Sequence, residues 1–173
     1  MNDVLVVVDM QNDFIDGALG TKEAVAIVDN VVEKIKNFKG TVLYTRDTHF
    51  DNYLETQEGK NLPVKHCIKD SEGWMIRKEI EELRESEPID KLTFGSMELG
   101  PKLQEMDKEN KIDSITFVGL CTDICVISNV MIAKAFLPEV PVIVDAKCCA
   151  GVSVETHNNA LKAMEVCQVK VER

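Results

Sequence analysis

Short apolar runs alternate along this chain with stretches in which apolar residues recur every three or four positions. The runs predict strands and the recurrences predict amphipathic helices, because side chains repeat every two residues on a strand and about every 3.6 on a helix. Strands are predicted at residues 4–8, 41–45, 88–92, 114–118, 140–144 (despite Pro141) and 169–171. Helix faces are marked by Val25, Val28, Val32 and Ile35 behind a Thr21 cap, by Ile76, Ile80 and Leu83, and by Leu99, Leu103 and Met106. Two further helices run to about Phe136 and from a Ser153 cap to about Val166. Strand–helix repetition with short connections predicts a mostly parallel sheet covered by helices on both faces.

One segment breaks the rhythm. Residues 47–74 are too long and polar for a simple connection, and such loops are usually functional or disordered. This one holds two of the three histidines, several carboxylates and the only tryptophan, a composition suited to a binding site.

Composition narrows the classes. A chain of 173 residues, 45% hydrophobic and 29% charged, predicts one globular domain over residues 1–173. The net charge of −10 argues against nucleic acid and membrane partners, since anionic surfaces are met with clustered Lys and Arg. No apolar run reaches the length of a membrane span, and residues 1–3 lead into the first strand without a basic, cleavable leader. Six cysteines in a chain with its own core then point to a reducing cytoplasmic location rather than to a disulfide framework.

Open parallel sheets bind ligands beyond the carboxyl ends of their strands, where strand order reverses. Asp9 follows the first predicted strand; Arg46, Asp47 and His49 follow the second. Lys91 ends the third, Cys125 lies past the fourth and Asp145 follows the fifth. In Gly119-Leu120-Cys121-Thr122-Asp123-Ile124-Cys125-Val126 an apolar strand breaks at glycine and a helix starts with a thiol in its first turn. Free N–H groups and the helix dipole there favour thiolate and can hold an oxyanion. Read alone, Cys125 is either that nucleophile or a small buried residue.

Asp9, after a wholly apolar run, is a candidate base. His157 is the alternative, although its helical setting favours a structural role, and Asp145 reads as a strand end meeting water. Cys121 and Cys125 lack a second ligand pair for structural zinc. Asp47, His49 and His66, with Glu55 and Glu58 as additions, either offer donors suited to Zn, Fe or Mn or are hydrogen-bonded loop residues.

Four segments, in order along nearly the whole chain, carry a resemblance: Asp9-Met10-Gln11-Asn12-Asp13-Phe14, Arg46-Asp47-Thr48-His49, Lys91 with Phe94-Gly95-Ser96, and the segment around Cys125. Together they resemble the isochorismatase-like cysteine hydrolases, and within them the nicotinamidase/pyrazinamidase branch. The resemblance implies a three-layer α/β/α sandwich around a six-stranded parallel sheet of order 3-2-1-4-5-6, with Asp9 and Cys125 side by side at the reversal point. It implies Cys125 as nucleophile, Asp9 as general base and Lys91 as a cation. It also implies an oxyanion hole from the N–H groups of Cys121 and Cys125, a cis Leu120–Cys121 peptide, and Phe14 against the substrate ring. A divalent transition metal (Zn, Fe or Mn) is implied on Asp47, His49 and His66, with Glu58 replacing a third histidine.

No organic cofactor is implied. The tryptophan common before the last metal histidine of that branch is replaced here by Leu62-Pro63-Val64-Lys65, and Trp74 lies beyond it. The implied activity is cysteine-dependent hydrolysis of a small-molecule amide, foremost nicotinamide to nicotinate and ammonia through a thioester, in a homo-oligomer. Carbamoyl or ureido amides on the same triad, and a redox or binding protein with a reactive Cys125, are the alternatives.

Overall fold

Six apolar segments pair as strands in the computed structural model, which describes residues 2–173. They are β1 (Asp3–Val8), β2 (Thr41–Asp47), β3 (Ile89–Lys91), β4 (Ser114–Leu120), β5 (Val142–Ala150) and β6 (Lys170–Glu172). All neighbours are parallel, in the order β3-β2-β1-β4-β5-β6, as the resemblance implies. The helices are α1 (Asn12–Ile15), α2 (Lys22–Ala26), α3 (Val28–Asn37), α4 (Gln57–Asn61), α5 (Lys78–Glu81), α6 (Leu99–Glu109), α7 (Ile127–Phe136) and α8 (Val154–Val166).

Strand β1 lies inside the sheet and is apolar on both sides, the pattern of a strand covered by two helical layers. Val4, Val6 and Val8 pack with Leu103 of α6, Val130 of α7 and Leu161 of α8. Leu5 and Val7 turn the other way, against Ala24 of α2, Val31 of α3 and Ile80 of α5. At the reversal between β1 and β4, Gly119 adopts φ +116°, and a Cβ there would collide with the Val8 carbonyl. Glycine therefore permits the close approach that brings the end of β4 beside Asp9.

Several predicted elements shift. The first helix divides at Ile27 into α2 and α3, and its buried face is Ala24, Ile27, Val31 and Ile35, leaving Val25 exposed. The helix expected around Ile76 shrinks to the single turn α5, because Ile76 forms a bridge with Gln11 instead. Strand β5 starts just after Pro141, which has no N–H for a ladder, and continues to Ala150. Asp145 therefore lies inside β5 rather than after it, paired with Lys34 at 2.8 Å. Among the described residues no helix is long and apolar enough to cross a membrane.

Candidate active site

The ends of β1, β2 and β4 bring Asp9, Asp47 and Cys125 around the Lys91 ammonium group. Lys91 Nζ lies 2.7 Å from Asp9 Oδ2 and 3.4 Å from Cys125 Sγ, and donates to Asp47 Oδ1 at 2.8 Å. The β2–β3 register sets Lys91 opposite Asp47, so the lysine chain extends across the end of β2 to reach the end of β1. Asp9 sits at φ +47°, fully buried, and its Oδ1 accepts from the Thr45 hydroxyl at 2.7 Å.

One cation faces three potential anions, and this ratio orders their protonation. Burial opposes charge on Lys91, but Asp9, Cys125 and Asp47 outweigh it and keep the ammonium protonated well above the ordinary lysine range. Burial also opposes charge on Asp47, yet His49 and Lys91 hold that carboxyl below its usual value. Burial raises Asp9, and Lys91 offsets only part of that effect. Burial and then the Asp9 charge push the Cys125 thiol well above its usual range. Burial and the carboxylates of Asp9 and Asp47 thus oppose charge on the thiol, while Lys91 favours it.

The turn bearing this cysteine is a π-helical segment, Thr122–Val126, ahead of α7 rather than a regular first α-turn. It follows the cis Leu120–Cys121 peptide. The Cys121 carbonyl accepts from the N–H groups of Ile124 at 3.1 Å and Val126 at 3.0 Å, passing over that of Cys125 between them. Asn129, wholly buried, donates to the Cys125 carbonyl (2.8 Å) and the Phe94 carbonyl (3.2 Å), while its Oδ1 accepts from Ser96 N–H (2.8 Å). One amide thereby ties the segment after Lys91 to the turn that carries the thiol.

The long loop supplies a second cluster. Asp47, His49, Glu58 and His66 place one donor atom each within 4.8 Å of one another. His49 Nε2 is 2.9 Å from Asp47 Oδ2 and 3.5 Å from Glu58 Oε1; His66 Nε2 is 3.8 and 3.6 Å from the same oxygens. Donors bound to a transition ion at about 2.1 Å are separated by about 3.0–3.4 Å at octahedral or tetrahedral angles, so the spread suits a shared ion. Two further observations fit. The buried His49 Nε2 makes no hydrogen bond, and the His66 Nδ1 contact with the Val64 carbonyl at 2.8 Å leaves Nε2 facing the two carboxylates. Burial lowers His49, but Asp47 and Glu58 outweigh it and raise the imidazole to about 9. The two carboxylates leave the cluster short of positive charge, which a proton or a cation supplies. Glu55 stays exposed and is not part of the cluster.

Both clusters open into one cavity of about 640 Å³. Cys121 and Cys125 line it, as do all four donor residues, Phe14, and a set of apolar side chains at the mouth. Phe14 lies 5.5 Å from His66, ring to ring. Trp74 is elsewhere: it stacks under the Arg46 guanidinium at 3.5 Å and donates to the Thr48 hydroxyl at 2.9 Å, bracing the loop from behind. His157 bonds Thr122 at 2.7 Å and does not reach the triad. A larger hollow of about 800 Å³, around Asn12, Glu72 and Arg77, contains none of the triad residues.

Three positioning residues escaped the sequence reading. They are Thr45, Asn129 and Gln11, whose side chain accepts from Asp47 N–H (2.7 Å) and donates to the carbonyls of Asp47 (2.8 Å) and Trp74 (2.9 Å). Their common signal is a polar residue in an apolar element or directly after one.

A family model for the isochorismatase domain matches residues 3–172. A nicotinamidase of Escherichia coli (strain K12) is 26% identical over 192 residues, spanning 94% of this chain and 89% of that protein. The structure of the pyrazinamidase of Pyrococcus horikoshii in complex with zinc superposes with a TM-score of 0.81 at 24% identity, covering 100% of this chain and 99% of that one. For N-carbamoylsarcosine amidase of Thermoplasma acidophilum the TM-score is 0.76 at 27% identity, covering 100% and 96%.

Proposed function

The chain belongs to the isochorismatase domain family, and on that premise we propose that it is a cysteine-dependent amidohydrolase of small uncharged amides. The leading reaction is nicotinamide to nicotinate plus ammonia. The observation that carries this reading is the single cavity lined both by the Cys121–Cys125 turn and by the Asp47, His49, Glu58 and His66 cluster. An amide carbon can lie over the thiol while a ring nitrogen faces the loop.

In this mechanism the Cys125 proton passes to Asp9 as Sγ attacks the amide carbon. The tetrahedral oxyanion accepts from the N–H groups of Cys121 and Cys125, each worth about 3 kcal/mol of barrier. Collapse breaks the C–N bond, and Asp9 returns its proton to the departing ammonia. Asp9 next takes a proton from water as the water oxygen attacks the thioester. The second collapse expels Cys125, which recovers that proton. Lys91 stays charged throughout and holds Asp9 in place. Asp47, His49, Glu58 and His66 would hold a divalent transition ion, which would supply Lewis acidity toward the pyridine ring. Phe14 lies along the ring.

Carbamoyl amides share the triad chemistry and are the second reading, favoured by the N-carbamoylsarcosine amidase likeness. Nicotinamide is preferred because the loop cluster then has a task, and because the residues lining the cavity include no lysine or arginine to meet a substrate carboxylate. The test is acid-quenched mass spectrometry during nicotinamide turnover. A nicotinoyl adduct on Cys125 with matching ammonia release is expected. Neither product, with Cys125 still open to alkylation, overturns the proposal.

A further inference from the structure

The cavity is more than a seat for one ring and its amide. It is lined by the thiol turn and by the His and carboxylate cluster. The rest of the lining sets the apolar side chains of Leu19, Leu62, Leu92 and Phe94 beside the polar Thr56, Gln57, Asn61 and Thr93. Leu62, Leu92 and Phe94 are 38%, 62% and 47% exposed, although exposed apolar side chains gathered around a binding cavity cost solvation and call for an occupant.

Two of these residues are fixed in place. The Tyr53 hydroxyl donates to the Leu62 carbonyl at 2.9 Å, and the Asn129 amide donates to the Phe94 carbonyl at 3.2 Å. Both donor residues are fully buried. Two of the apolar lining residues are thus held on tethered backbone, which lowers the ordering cost of gripping a ligand. The cavity volume of about 640 Å³ lies in the range of sites for drug-sized ligands, roughly 300–1,000 Å³. A single ring with a carboxamide leaves much of it unfilled.

We propose that the substrates of this site are heteroaromatic carboxamides bearing an uncharged apolar substituent, gripped by Leu62, Leu92 and Phe94 at the mouth. The inference rests on the amidohydrolase reading above and names its substrate class. A substituent of opposite character is disfavoured: an anionic one meets no lysine or arginine in the lining, and a strongly polar one loses water against leucine and phenylalanine.

The experiment is ammonia release by the metal-loaded protein from nicotinamide and its ring-alkylated homologues, methyl to butyl, at each free ring position. At one position kcat/KM is expected to rise about fourfold per methylene buried. In Leu62→Ser/Phe94→Ser the ratio of butyl to unsubstituted kcat/KM is expected to fall at least fivefold. Leu92→Ser, at the most exposed of the three positions, provides the same readout if the double variant does not fold. Values that stay flat or fall with chain length at every position overturn the proposal while leaving the amidohydrolase reading intact. That reading fails instead if no member of the series releases ammonia although Cys125 alkylates normally. A second copy of the chain covering the mouth is the rival occupant. Sedimentation showing a dimer that Leu92→Ser dissociates, together with a flat series, overturns the proposal in its favour.

Discussion

Asp47 divides its two oxygens between the halves of the site: Oδ1 accepts from Lys91 at 2.8 Å, while Oδ2 lies 2.9 Å from His49 Nε2. His49 belongs to the loop cluster alone. Asp47→Asn is therefore expected to lower bound metal and also disturb the lysine, reducing kcat by about 10²-fold. His49→Ala should lower metal content and raise KM for nicotinamide with a smaller loss of kcat, and benzamide, which has no ring nitrogen, should lose little. Metal analysis with steady-state kinetics on both amides checks the split. Equal kcat losses in the two variants would contradict it.

Asp9 and Lys91 push the Cys125 thiol in opposite directions, since a nearby anion raises a thiol pKa and a cation lowers it. Asp9→Asn should move the pH profile of Cys125 alkylation to lower pH, whereas Lys91→Met should move it higher. Both should lose at least about 10²-fold in turnover, since one removes the base and the other its partner. Lys91→Met also leaves buried carboxylates unpaired and is expected to cost about 3–5 kcal/mol of stability. Iodoacetamide rates against pH, with denaturant melts, read all three effects.

The two cysteines of the turn have different assignments. Cys125→Ala should abolish turnover and leave the fold intact, because only a single buried Sγ is removed. Cys121→Ala keeps the backbone N–H and should retain most activity. Ammonia release and thermal melts of the two proteins decide this, and the reverse pattern would exchange the roles.

Gly119→Ala should destabilise the protein by about 3 kcal/mol or more, since it combines a left-handed φ with a clash against the Val8 backbone. Urea unfolding measures it. A loss below about 1 kcal/mol would mean that the β1–β4 junction relaxes easily.

Much of this was legible before any coordinates. Asp9 and Cys125 are strand-end residues on apolar runs, and the rule that ligands gather where strand order reverses brings them together. Lys91 was legible as a candidate but not in its reach, which depends on β3 lying outside β2 with Lys91 opposite Asp47. His49, Glu58 and His66 have no regular spacing, and only the folding of the loop onto Cys67 and Ile68 gathers them. Thr45 and Gln11 act across 36 positions of sequence, a separation that no local pattern encodes. The charges around Cys125 are likewise non-local, since Asp9 and Lys91 arrive with other strands and not with the turn's own sequence.

The separation of the two clusters along the chain has a consequence for assembly. All four donors of the loop cluster lie between Asp47 and His66, whereas the triad joins Asp9 to Cys125 through the edge strand at Lys91. Closing a short loop costs less entropy than closing a long one, so the donor cluster can gather while β4 is still undocked. The thiol meets Asp9 and Lys91 only when the last of these strands is in register. On the proposed mechanism an incompletely folded or nascent chain therefore carries an ordinary cysteine, and chemical competence arises together with the finished sheet rather than ahead of it.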